Sequence, residues 1–290
     1  MVLAAGLVAG VAPQPLQATQ AAAQPPANDQ IVLKMRFKSG QTDRYQMNSI
    51  GSMTEQFVGQ KSALTLPTAQ NGFSTWRVDR ALPNGGGLVT IGTEIRQSQV
   101  AGHTVAPPPG GSFTIAYDSL GEIVSAKGLA SGSAPSNPMT SLAAVNGIMS
   151  FNLPGRPVRV GDVWEAQARV PGLGLTGVAR SRLLNVEQIG KYKCARIRMY
   201  TTLPIRLLLG SGRSPGSVNK ASKAVAVVTG TETITTDMDF AVEEGKLVRA
   251  ADAGQFTIHV RPPAGSAAKG AAGRAANMLF KINLSMDLVQ

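Results

Sequence analysis

Apolar and polar residues alternate one by one along most of this chain, and a period of two restricts it to half-buried β-strands. In IVLKMRFK, Ile31, Leu33, Met35 and Phe37 fall on one face and Lys34, Arg36 and Lys38 on the other. In NMLFKINLSMDLV, Met278, Phe280, Ile282, Leu284, Met286 and Leu288 oppose Leu279, Lys281, Asn283 and Ser285. Between these segments the pattern restarts repeatedly, for example in FSTWRVDRAL, GLVTIGTEIRQSQV, KYKCARIRMYTTL and GKLVRAADAGQFTIHV. Ser39-Gly40 marks a turn into the next strand, and Pro83-Asn84-Gly85-Gly86 and Ser119-Leu120 mark hairpin connections. The expected fold is all-β and mainly antiparallel, about twelve strands in curved sheets or half-barrels.

The alternation breaks once. In SGSAPSNPMTSLAAVNGIMSFNLPGRP, Asn137 suits a helix cap and Pro138 a first helical position. Met139, Leu142, Ala143, Ile148 and Met149 share a face at helical spacing, which predicts one central helix over 138–150. On either side stand two stretches that resemble each other, TIAYDSLGEIVSAKG and TDMDFAVEEGKLVRAADAG. Gly121 and Gly245 lie 124 residues apart; Gly40 and Gly161, each ahead of an aromatic-bearing strand, lie 121 apart. Two similar offsets in the same order point to an internal duplication, with a first meander over 30–130, a helix and linker over 131–157 and a second meander over 158–290. Chance is the rival, because glycine followed by alternating apolar residues recurs in any β protein.

The segment 1–29 reads as a signal peptide or a disordered leader. Residues 2–11 form a short apolar run, Ala21-Ala22-Ala23 suits cleavage, and Asp29 is the only charge. No later run reaches 18 apolar residues, so no transmembrane helix is expected. The lone Cys194 excludes an intramolecular disulfide, which leaves stability to the core.

Few motifs carry chemistry. The two histidines, His103 and His259, are far apart in the chain, and no Gly-x-Ser-x-Gly elbow occurs. Ser217-Val-Asn-Lys220 and GLGLTG (172–177) match catalytic and nucleotide-binding patterns formally, but in a loop and ahead of a strand rather than in the contexts those patterns require. Asp237 and Asp239 share a strand face near Glu243 and Glu244, which suits a hard cation or a solvated strand end. No cofactor and no metal site is expected.

Charge supplies the candidate site. The net charge is +11, of which +2 belongs to residues 1–150 and +9 to residues 151–290. Arg180 and Arg182 share one strand face, and Arg196 and Arg198 share one on the next strand. A three-residue connection would oppose Arg182 to Arg196 and Arg180 to Arg198, which destabilises a hairpin unless an anion or solvent relieves it. A two-residue connection would put each arginine opposite a neutral side chain. The four are therefore candidates for an anionic head group, with an ordinary solvated basic face as the alternative. Aromatics make up 5% of the chain, too few for the stacking that single-stranded nucleic acid needs.

Tyr117, Asp118, Gly121 and Ile123, followed after the helical segment by Pro154, Pro157, Val158, Val160, Gly161, Asp162 and Trp164, resemble the turn signatures of a loose class of exported bacterial β-rich proteins of unknown function. The resemblance spans about residues 31–260. It implies a periplasmic or cell-envelope location and a non-enzymatic role, and it supplies no functional residues. A more distant likeness is to half-open β-sheet lipoprotein and lipid carriers of the bacterial envelope. The expectation that follows is an exported binder of an amphiphilic or anionic ligand in or on a curved sheet. The alternative is an assembly component acting through envelope-protein or cell-wall contacts. Ten methionines, which adapt to irregular ligands, lean toward the binder.

Overall fold

The computed structural model of the chain describes residues 30–107, 109–128, 150–170, 175–210, 224–261 and 275–289. The expected helix over 138–150 and the leader over 1–29 lie outside the described residues, apart from Ser150 at the helix's expected end. Everything described is strand, turn or extended segment. The strands are β1 (Thr42–Phe57), β2 (Leu64–Ala81), β3 (Gly87–Val100), β4 (His103–Val105), β5 (Ser112–Tyr117), β6 (Ile123–Lys127), β7 (Val163–Val170), β8 (Leu175–Ile189), β9 (Tyr192–Gly210), β10 (Ala224–Ala241), β11 (Lys246–Arg261) and β12 (Ala276–Leu288).

All twelve belong to one antiparallel sheet in the order β6-β5-β3-β2-β1-β12-β11-β10-β9-β8-β7, with β4 paired to β3 off the path. Almost every neighbour in space is a neighbour in sequence. Besides β5, which skips β4 to pair with β3, the exception is the junction of β1 with β12, thirteen pairs from Tyr45↔Leu288 to Phe57↔Ala276, which joins two meanders into one nearly closed, barrel-like sheet. Ladders this long twist, and the twist curls a wide sheet toward closure.

Closure at the seam between the edge strands β6 and β7 does not use a ladder. The extended segment 150–158 lies there instead. Phe151 and Leu153 donate their backbone N–H groups to Gly121 and Leu120 in the β5–β6 turn, at 3.1 and 2.9 Å. Trp164 of β7 donates its indole N–H to the Asn152 carbonyl at 2.7 Å. The backbone of Asn152 is left-handed (φ 46°), a conformation asparagine tolerates better than most residues. Segment 31–38 crosses the same end of the sheet. Ile31 bridges Val158, Met35 donates to Ser119 and Arg36 donates to Gly245.

The aromatic residues are few, and six of them gather under these two segments. Phe151 is fully buried and meets Trp76, Tyr117 and Phe240 edge-on at 6.1, 6.1 and 6.2 Å between ring centres. Tyr45 tilts against Trp76 at 5.4 Å, and Phe37 stacks on Tyr117 at 6.2 Å. Such contacts add about 0.5–1.5 kcal/mol each beyond area burial. This end of the sheet is a filled aromatic core, called the closed end below. A second apolar cluster, Ile205, Val228, Phe256, Ile258 and Phe280, lines the same face farther along β9–β12 and is separate from the first.

The turn signatures read from the sequence have mechanical roles. Asp118 Oδ1 accepts the N–H groups of Leu120 and Glu122 at 2.8 and 2.9 Å, closing the β5–β6 turn from inside. Asp162 Oδ2 accepts from the Arg159 N–H and from Arg156, which holds that carboxyl below its usual range. One set of three hydrogen bonds occurs twice. Gln41 N–H to Lys38, Gly40 N–H to Val78 and Val78 N–H to Gln41 match Asp162 N–H to Arg159, Gly161 N–H to Leu183 and Leu183 N–H to Asp162. Gly40 and Gly161 are both left-handed, at φ 82° and 94°.

Gly121 (φ 75°) and Gly161 separate two costs of adding a side chain. A Cβ on Gly161 would meet nothing within 4 Å, whereas one on Gly121 would sit 2.6 Å from Phe151 Cβ. Gly161→Ala should cost only the left-handed penalty, about 1–2 kcal/mol. Gly121→Ala should cost about 2–5 kcal/mol, because overpacking adds to that penalty. Urea denaturation measures both; equal losses would mean that Phe151 is not held against the turn.

Candidate functional site

The four candidate arginines lie on the outer face of β8 and β9, in a register that neither expected connection gives. The hairpin turns through Gly190-Lys191, with Ile189 opposite Tyr192. A β-bulge between Leu183 and Asn185 then inserts one extra residue in β8 and shifts the ladder. As a result Arg182 faces Arg198, Arg180 faces Tyr200 and Arg196 faces Asn185. The opposed pair Arg182/Arg198 is relieved from the far side. Arg198 makes a bidentate contact with Asp237 of β10, Nε at 2.6 Å and Nη2 at 2.8 Å, and holds that carboxyl below its usual range. Arg196 lies 3.8 Å from Glu187 and Arg180 lies 3.9 Å from Glu165. Arg180, Arg196 and Arg198 are thus woven into ion pairs across the outside of the sheet. Arg213, Lys220 and Lys223, which follow them in sequence, lie outside the described residues, as does Ser217.

Asp237 and Asp239 are likewise engaged. Asp239 is buried and takes Arg249 Nε and Nη2 on one oxygen, at 2.8 and 2.6 Å. The cation-or-solvent alternatives read from the sequence therefore give way to arginine pairing on both sides of β10. Leu175 and Gly177, from the Gly-rich stretch, enter β8 as strand. His103 is exposed in β4, and His259 Nδ1 lies 2.7 Å from Asn277 Oδ1 on the outer face of β11. Cys194 is fully buried, and burial pushes its thiol up to about 11, which leaves it unreactive. Among the described residues no three metal-ligating side chains come together, and no helix is long and apolar enough to cross a membrane.

The inner face has the opposite character. Away from the closed end its positions hold Leu203 and Ile205 on β9, Val228, Gly230 and Ile234 on β10, Gly254, Phe256 and Ile258 on β11, and Met278, Phe280 and Ile282 on β12. Met53, Val260, Met278 and Ile282 pack on this cluster only half-buried. Into this surface project two carboxyls. Glu232 has no solvent exposure, and neither of its oxygens has a hydrogen-bond partner. Its register neighbours are Leu203 and Phe256. Burial pushes its carboxyl up to about 7. Asp252 sits opposite Thr236, with Oδ1 unpartnered beside a void of about 20 Å³ lined by Ile234, Gly254, Ile282 and Leu284. Burial raises it to about 6, against a smaller lowering by Thr236. Glu55 lies on the same face by register, opposite Met278. Away from the closed end, none of the described inner-face positions of β1–β3 and β8–β12 is Lys or Arg.

Sequence reasoning singled out the arginines and passed over Glu232. The signal was present in VVTGTETITTDMDF, where Glu232 shares its parity with Val228, Ile234, Met238 and Phe240. A carboxylate on the apolar parity of a strand is the anomaly to look for.

The outer face of β9–β12 and β1 carries surface depressions. Two adjoining depressions of about 510 and 360 Å³ share Thr235, Ala253 and Asn283 and are flanked by Tyr200 and Ile50, 53% and 66% exposed.

No family model matches this chain, and no curated protein matches it. Among solved structures, a lipovitellin chain described with its lipid-protein interactions is similar at 12% identity and a TM-score of 0.44. The alignment covers 88% of this chain and 26% of that one, so the chain spans about a quarter of its length. At that level the likeness carries no argument about function.

The buried carboxyls make stability depend on pH. Between about 4.5 and 7 the folded state keeps the Glu232 proton that the unfolded chain has lost, so stability falls as pH rises through that window. The full loss is about 3 kcal/mol at neutral pH. Glu232→Gln should remove this decline, leaving only that of Asp252, which ends near pH 6, and raise the thermal midpoint at pH 7.5. A midpoint unchanged by the substitution would show that the carboxyl is solvated.

Proposed function

We propose that this chain is an exported, non-enzymatic cell-envelope protein that binds the hydrocarbon part of an amphiphile along the inner face of its sheet, away from the closed end. The observation that carries this reading is the second apolar cluster. It is separate from the aromatic core, and its Met53, Met278, Ile282 and Val260 stay half-buried where a core of the same size would cover them. The closed end packs six aromatic rings against one another, whereas this region holds only Phe256 and Phe280 among aliphatic side chains, with Met53 and Met278 at its half-buried margin. Export rests on the composition of residues 1–30. The non-enzymatic reading rests on the sequence's lack of any catalytic constellation in its required context.

The four arginines and the apolar cluster lie on opposite faces of the sheet, so a ligand lying along the inner face does not contact Arg180, Arg182, Arg196 or Arg198. A second reading, contact with an envelope protein or the cell wall, is favoured by the outer depressions, where exposed Tyr200 and Ile50 flank a floor of Thr, Ala and Asn.

A neutral probe tests the first reading without prejudging charge. Protein exported by a bacterial host and purified without detergent should take up about one 1-lauroylglycerol per chain in native mass spectrometry. Met278→Asp, which places a charge in the half-buried lining, should weaken uptake at least tenfold. No mass gain at any concentration below micelle formation would overturn the reading and leave surface contact in front.

A further inference from the structure

We infer that the polar end of the bound amphiphile is a cation that donates hydrogen bonds, a protonated amine, and that Glu232 is its acceptor. The inference rests on the amphiphile reading above and narrows it.

Three observations lead there. Glu232 is fully buried and both its oxygens lack partners. Leaving a carboxyl in that state is costly, and native proteins normally satisfy such groups. Second, the surface around it offers nothing to satisfy it. Its neighbours across the ladders are Leu203 and Phe256, with Gly230 and Ile234 next on its own strand face. Third, the charge on this face has one sign. Glu232, Asp252 and Glu55 occupy it, and away from the closed end the described positions include no Lys or Arg, in a chain whose net charge is +11. Arg180, Arg182, Arg196, Arg198 and Arg249 lie on the outer face, where Arg198 and Arg249 are held by Asp237 and Asp239. An anionic head group entering this face would meet like charge and an apolar wall. An ammonium group would meet an acceptor with two free oxygens in a medium of low polarity, where a charge-assisted hydrogen bond is strong.

The titratable groups that could complicate the pH response are few. Glu232 is faced from β9 by Leu203 and from β11 by Phe256, and neither titrates. The nearest acid on its face is Asp252, opposite Thr236 and four residues farther along the ladder. Glu55 lies on β1. On the opposite face the nearest groups are Tyr200, Arg206, His259 and Lys281, with Arg261 and the Arg198–Asp237 pair farther along the ladders.

Three probes with one hydrocarbon chain separate this inference from the reading beneath it. Detergent-free protein is titrated calorimetrically with dodecylammonium, dodecanoate and 1-lauroylglycerol between pH 5 and 8. The expected result is dodecylammonium binding at least tenfold tighter than dodecanoate at pH 8. Its affinity should rise with pH up to about 7, by as much as tenfold per unit, as the carboxyl ionises while the amine stays protonated. Glu232→Gln, isosteric and free of the buried charge, should abolish both the preference and the pH slope while keeping 1-lauroylglycerol binding. Arg198→Ser, on the outer face, should change neither. Equal binding of the two charged probes, or a preference that survives Glu232→Gln, would overturn the amine assignment and leave the amphiphile reading standing. Failure of all three probes to bind would overturn both.

Discussion

The packing of Phe151 is the contact on which the rest of the molecule depends. Twist curls a twelve-stranded sheet but does not fix where its two free edges meet, and unpaired edges invite association with other chains. Here the edges β6 and β7 are joined by a short extended segment. That segment makes two backbone hydrogen bonds to the β5–β6 turn, receives the Trp164 indole N–H and inserts one phenyl ring among Trp76, Tyr117 and Phe240. Those three rings come from β2, β5 and β10, so one side chain sets the spacing between the two meanders. The left-handed Asn152 and the absent side chain at Gly121 are the local conditions that let the ring reach its place.

Filling one end so completely leaves the other end a different problem. The aromatic groups are concentrated where the crossing segments lie, and the far inner face is built from Ile, Val, Met and two Phe. Charge is partitioned just as sharply. Arginines and their carboxylate partners form cross-strand ion pairs on the outside, while the described inner-face positions away from the closed end carry carboxyls and no Lys or Arg. Exposed ion pairs of this kind contribute little to stability. An unpaired inner carboxyl, by contrast, has a large energetic effect because no water screens it. The two faces of one sheet therefore present opposite electrostatic character to whatever approaches them.

Much of the architecture was legible because it is written in local code. Alternation along Met278–Leu288, the Pro83–Gly86 connection and the Asp118/Gly121 turn each depend on residues close in sequence, and each is found as expected. Ile31–Phe37 alternates in burial but is an extended crossing segment with one bridge to Val158 rather than the strand its period predicts. The β1–β12 junction was not legible, because neither strand carries a mark of its distant partner. The arginine register was missed for a smaller reason. One bulge residue between Leu183 and Asn185 reverses every opposition beyond it, and nothing in LLNVEQ announces it. Glu232 was masked by the abundance of charge elsewhere, since its only mark in the sequence is a carboxylate on the apolar parity of β10.

The β1–β12 junction has a consequence for the order in which the molecule can form. Every other ladder joins strands that follow each other in the chain, apart from β5 skipping the three-residue β4, and can close as soon as both strands exist. The ladder from Tyr45↔Leu288 to Phe57↔Ala276 joins the first strand to the last, across more than two hundred residues of intervening chain. Loop-closure entropy grows only slowly with length, so the final sheet loses little stability by this arrangement. The cost falls on time instead, since contacts of long sequence separation form late. During synthesis β1 must hold an unpaired edge until β12 has been made. The polar, glycine-broken run Asn48-Ser49-Ile50-Gly51-Ser52 in the middle of β1 is a poor template for foreign strands, which suits an edge that has to wait.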